Sequence, residues 1–153
     1  MNFTVSGLSP EPFKPLYGLS ADELKQHRAR RVVVDGPSFP ERIEMRDAEP
    51  GETLLLVNYE HQSADTPYRS SHAVYVREGA TETWSGDHLP DVMRNRQLSL
   101  RGFSADESMV DADVIDGGEA EPVIERFFAD PAIAYIHAHY AKPGCYAARI
   151  DRA

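Results

Sequence analysis

A single cysteine, Cys145, occurs among the 153 residues, so no disulfide can close within the chain and the disulfide framework of a small secreted domain is excluded. The stretch from Met1 to Pro15 has no basic start followed by an apolar run, which agrees with a cytoplasmic location. No segment approaches the ~20 consecutive apolar residues that span a bilayer, and no polybasic cluster invites an anionic membrane surface. Basic residues are the minority, 16 Lys and Arg against 25 Asp and Glu for a formal net charge of -9. Such a balance opposes the phosphate backbone, so neither nucleic acid nor membrane is an expected partner. Internal repeats, heptads and low-complexity tracts are also missing, and Pro and Gly stand singly rather than in a linker. Residues 1–153 therefore read as a single globular domain.

What is present is enough apolar sequence for one core: 41% of residues are hydrophobic and they are spread along the whole chain. Ser20 and Glu23 form a capping box that starts a helix at Ala21 and carries it to about His27. Strand signals follow: Arg31 to Asp35, the alternating Arg42 to Arg46, the nearly all-apolar Thr53 to Tyr59, His72 to Arg77, Gln97 to Phe103 and Met109 to Ile115. Between the fourth and fifth of these lies a long irregular stretch with Gly79, Trp84, Gly86 and Pro90, of the length that lids and binding segments use. A helix from Glu119 to Ala129 places Val123, Ile124, Phe127 and Phe128 on one stripe and stops at Asp130-Pro131. The expected fold is α+β, with a mostly antiparallel sheet of about seven strands and two principal helices.

The C-terminal hairpin carries the chemistry. Ile133 to Tyr140 and Cys145 to Asp151 are joined at Lys142-Pro143-Gly144, with Gly where positive φ is needed. Pairing Tyr140 with Tyr146, Ala138 with Ala148 and Ile136 with Ile150 makes one face apolar. The opposite face then gathers His137 across from Arg149, His139 across from Ala147, and Cys145. Three readings follow. Imidazole and guanidinium donors suit a small anionic ligand, bound by His137 and Arg149 with Arg69 and Arg101 joining from neighbouring segments. Cys145 with His139 as base is a candidate catalytic thiol pair on that same ligand. Alternatively His137, His139 and Cys145 form a ligand set for a divalent metal such as Zn. A non-enzymatic interaction domain, in which these groups only pack, is the remaining alternative.

Asn58-Tyr59-Glu60-His61 ends the central strand, and Glu60 with His61 is an acid–base dyad only if the chain turns there. Phosphate-loop, dinucleotide-fingerprint, nucleophile-elbow and HExxH patterns are absent.

Four segments carry a family resemblance: Asp47-Ala48-Glu49-Pro50-Gly51-Glu52 with Leu54-Leu55-Leu56; Thr66-Pro67-Tyr68-Arg69-Ser70-Ser71-His72; Arg96 to Arg101; and Tyr135 to His139 with Gly144 to Ala148. In these the chain resembles the bacterial family called domain of unknown function 1203. The resemblance implies a small bacterial single-domain protein and transfers no catalytic residue.

Overall fold

Two-residue alternation of apolar and polar side chains organises most of this chain, and the computed structural model, which describes residues 2–153, arranges the resulting strands as two antiparallel sheets. The strands are β1 (Phe3–Ser6), β2 (Ala29–Val33), β3 (Thr53–Gln62), β4 (Ser70–Arg77), β5 (Ser85–Gly86), β6 (Gln97–Phe103), β7 (Met109–Asp116), β8 (Tyr135–Tyr140) and β9 (Tyr146–Arg152). The larger sheet has the order β5-β1-β9-β8-β6-β7 and the smaller β2-β3-β4. Helices α1 (Ala21–Gln26), α2 (Asp91–Arg94) and α3 (Ala120–Ala129) complete an α+β fold. Among the described residues, no helix is long and apolar enough to cross a membrane.

Burial is organised by faces. Helix α3 lays Ile124, Phe127 and Phe128 over one face of the larger sheet, against Leu98, Leu100, Ile136, Ala138 and Ile150. On the other side, Leu55, Val57, Val74 and Val76 of the smaller sheet pack with Leu24 of α1, Phe13 and Tyr146. Strand β8 is covered from both directions, and all six of its residues are buried. The predicted cap is in place: the Ser20 side chain accepts from the Glu23 backbone N–H at 3.2 Å.

About seven strands were expected and nine are present among the described residues, two of them without an expected counterpart. Phe3–Ser6, only four residues long, alternates Phe3 and Val5 into the core and pairs with β9, while Ser85–Gly86 pairs with β1. Against these gains, Arg42 to Arg46 is not a strand. Met45 sits at φ 54 and single bridges tie Pro40 to Asp47 and Glu41 to Tyr75. The Glu41 carboxylate accepts from the Ile43 and Glu44 amides, which removes those donors from any ladder. The long stretch before β6 is pinned: the Trp84 N–H donates to the Ile43 carbonyl, and the Gly7 N–H to the Trp84 carbonyl, both at 2.9 Å.

Candidate metal centre

The inner face of β3 shows residues Leu55, Val57, Tyr59 and His61 in turn, because side chains two apart share a face. Apolar packing on Val74 and Val76 fixes that face against the larger sheet, and the same alternation delivers His61 to it. Across the gap, β8 presents Tyr135, His137 and His139 from its own face, with Ile136, Ala138 and Tyr140 turned to α3. Each strand's core pattern thus obliges its histidines to meet between the sheets.

The meeting is close. One nitrogen from each of His61, His137 and His139 lies within 4.8 Å of the others. The His61 and His139 rings stand edge to face at 4.8 Å between centroids, and the Tyr146 ring stacks on His61 at 5.6 Å with an interplanar angle of 7°. His137 is bounded by Phe103, Tyr135 and Tyr146. Among the described residues, the Nδ1 atoms of His61 and His137 are buried with no hydrogen-bond partner. His139 differs, since its Nδ1 lies 3.0 Å from the Gly144 carbonyl. A carbonyl only accepts, so that contact places the proton on Nδ1 and leaves the Nε2 lone pair free.

All three rings are neutral near pH 7. Desolvation is the largest cause, lowering His61 to about 4 and His137 and His139 to about 3. The guanidinium charges add to it: Arg101 acts on all three rings and Arg149 on His137. Arg101, His137 and Arg149 form a row across β6, β8 and β9 in register. Within that row, Arg149 is neutralised by Asp151 at 2.9 Å and lies over the Tyr135 ring. Arg101 donates to Ser99 Oγ at 3.3 Å and, among the described residues, has no carboxylate partner.

The hairpin register holds for half its length. Ile136 pairs with Ile150, His137 with Arg149 and Ala138 with Ala148, but a bulge follows and His139 then faces Tyr146 rather than Ala147. The extra residue reverses the facing of everything beyond it. Tyr146 joins the imidazole face, and Cys145 leaves it to accept a hydrogen bond from Arg42 at 2.9 Å. Pairing Cys145 with His139 as nucleophile and base, and adding Cys145 to a metal set, are both corrected by this turn of the strand. Arg69 is likewise elsewhere, held by Glu60 at 3.2 Å. That ion pair draws Glu60 to the outer face, so the Glu60–His61 dyad does not form.

His61 belongs to the strand proper and not to a loop beyond it, because β3 continues past Tyr59 and Glu60 to Gln62. Extending the alternation of Leu55, Val57 and Tyr59 by one more step would have put His61 on the core face.

Residues 38–152 match the family model described as "Protein of unknown function (DUF1203)". The chain belongs to this family. No curated protein and no solved structure matches it. The matched span contains the whole imidazole cluster, Arg101 and both strands of the hairpin.

Proposed function

We propose that His61, His137 and His139 bind one divalent transition metal of the zinc class, and that this bacterial, cytoplasmic protein uses it in metal-dependent chemistry on a small anionic substrate. The observation that carries the reading is the cluster of three neutral imidazoles with nitrogens within 4.8 Å, two of them having a buried nitrogen without a partner among the described residues. Tetrahedral zinc with bonds of ~2.0–2.1 Å sets its nitrogen ligands roughly 3.4 Å apart, so modest ring rotation closes the site. Neutral imidazole is the ligating form, and the Nδ1 contact of His139 to Gly144 is the outer contact that orients a metal-binding ring. Three protein ligands leave a fourth position for water or substrate, as in open catalytic sites rather than closed structural ones. Arg101, lacking a carboxylate, supports an anion at that position.

Zinc and cobalt titrations monitored by thermal unfolding test this. One equivalent should bind and raise the melting temperature, and cobalt should give the visible absorption of a tetrahedral site. His61→Ala and His139→Ala should each abolish both effects, while Cys145→Ser should keep them. Binding that survives His61→Ala, or is lost in Cys145→Ser, would overturn the assignment.

The unpaired Arg101 also favours a second reading, direct anion binding by His137, Arg101 and Arg149 with no metal. Phosphate stabilisation of chelator-treated protein, lost in Arg101→Ala, is its distinguishing result.

A further inference from the structure

A cavity of about 670 Å³ opens away from the His61, His137 and His139 cluster, between the face of the smaller sheet at Leu56, His72 and Tyr75 and the hairpin turn at Lys142 to Cys145. Its size falls within the roughly 300–1,000 Å³ of small-molecule sites. Its charge is opposite to that of the chain. Arg42, Arg96 and Lys142 line it, against Asp116 as the one lining carboxylate, in a protein of net charge -9.

The state of those cations points to an anion. Arg96 is held by Asp47 at 2.7 Å. Arg42 is 1% exposed and donates only to the Pro40 and Tyr146 carbonyls and the Cys145 sulfur. Among the described residues, neither Arg42 nor Lys142 forms an ion pair. A buried guanidinium whose partners are all neutral oxygens and a thiol keeps most of its desolvation penalty, and a negative group alongside offsets it. The two guanidiniums lie 5.0 and 5.5 Å from the Tyr140 ring centroid. Among the described residues, the Tyr140 hydroxyl is itself buried without a hydrogen-bond partner. Aromatic surface from Tyr75 and Tyr140 with convergent cations suits a small organic anion better than a bare inorganic one.

We propose that this cavity binds a small molecule carrying a carboxylate or phosphate group, with Arg42 and Lys142 supplying the uncompensated positive charge, Arg96 beside them held by Asp47, and Cys145 in its wall. This site is separate from the histidine cluster and does not depend on a metal there. Arg42 nevertheless stands between the two, because its Nε holds the Tyr146 carbonyl at 2.9 Å while the Tyr146 ring stacks on His61.

Cys145 is the chain's only thiol, so alkylation by iodoacetamide reports on this cavity alone. The experiment uses chelator-treated protein with inorganic phosphate, phenyl phosphate and succinate as probes, and chloride at equal ionic strength as the control. Alkylation rate and melting temperature are read together. Saturable slowing of alkylation with a rise in melting temperature, by at least one probe, is the expected result, and Lys142→Ala, on an exposed turn, should weaken it severalfold while leaving the fold intact. Which probe acts separates the phosphate class from the carboxylate class. The proposal is overturned if no probe changes either readout beyond chloride, or if protection is undiminished in Lys142→Ala.

Discussion

Glu41 is completely buried, and its carboxylate accepts from three backbone amides: Ile43 at 3.0 Å, Arg77 at 3.1 Å, and Glu44. Burial raises its pKa, and those amides oppose the rise. The residue therefore replaces a stretch of sheet ladder, tying the irregular segment after Pro40 to β4. In Glu41→Gln one carboxylate oxygen becomes an NH₂ facing an amide donor, so at least one buried N–H loses its acceptor. The expected cost is about 2–4 kcal/mol, read as a lower urea midpoint at unchanged slope. An unchanged midpoint would show that the three amides do not rely on the carboxylate. None of this was visible in the alternating charges of Arg42 to Arg46, because a capping carboxylate and a strand's outward charge look alike in one dimension. His137 and Arg149 were legible for the opposite reason: Ile136 and Ile150 beside them are apolar and admit only one facing.

At the scale of elements, the fold depends on one junction where no side chain fits. A Cβ at Gly117, just after β7, would stand 2.0 Å from the Met93 carbonyl oxygen and 2.7 Å from that of Arg96, both backbone atoms. The Gly117 N–H also donates to the Arg96 carbonyl at 2.8 Å, locking the end of β7 onto α2. Gly117→Ala must push α2 away, with a loss of about 3 kcal/mol or more, whereas Gly118→Ala meets nothing within 4 Å and should leave the unfolding midpoint in place. Equal midpoints for the two variants would mean the junction is soft. Elements with a strong periodic signal were readable in advance. The stripe of α3, the capped α1 and the alternation of β6 and β7 all rest on contacts near in sequence. Short β1 and β5 were not, because they pair with segments far along the chain, and the bulge that turns Cys145 away, although local to the hairpin, leaves the apolar alternation of both its strands looking continuous.

Across the whole molecule, the two sheets are joined over a layer containing three imidazoles, and that makes their association sensitive to acid. In the unfolded chain a histidine takes up a proton near 6.5. Folded, His61 resists until about 4 and His137 and His139 until about 3. Between those values the unfolded state binds more protons than the native one, so stability rises with pH and is lost as pH falls from about 6.5. The sense is that of a base with a depressed pKa, and every imidazole in the layer contributes with the same sign. At pH 5 each of the two most buried rings, His137 and His139, should have removed about 2 kcal/mol relative to pH 7.5. The carboxylates held low by arginines, Glu52 at about 2 by Arg46 foremost, give way only in more acidic solution. Urea unfolding of chelator-treated protein at pH 7.5, 6 and 5 should therefore show a midpoint that drops over this interval, well before carboxylate protonation. Replacing His137 with Phe, an aromatic ring that does not titrate, should flatten the drop. A midpoint constant from pH 7.5 to 5 in the unaltered protein would mean that the sheets admit charged imidazoles, and that the layer between them is wet.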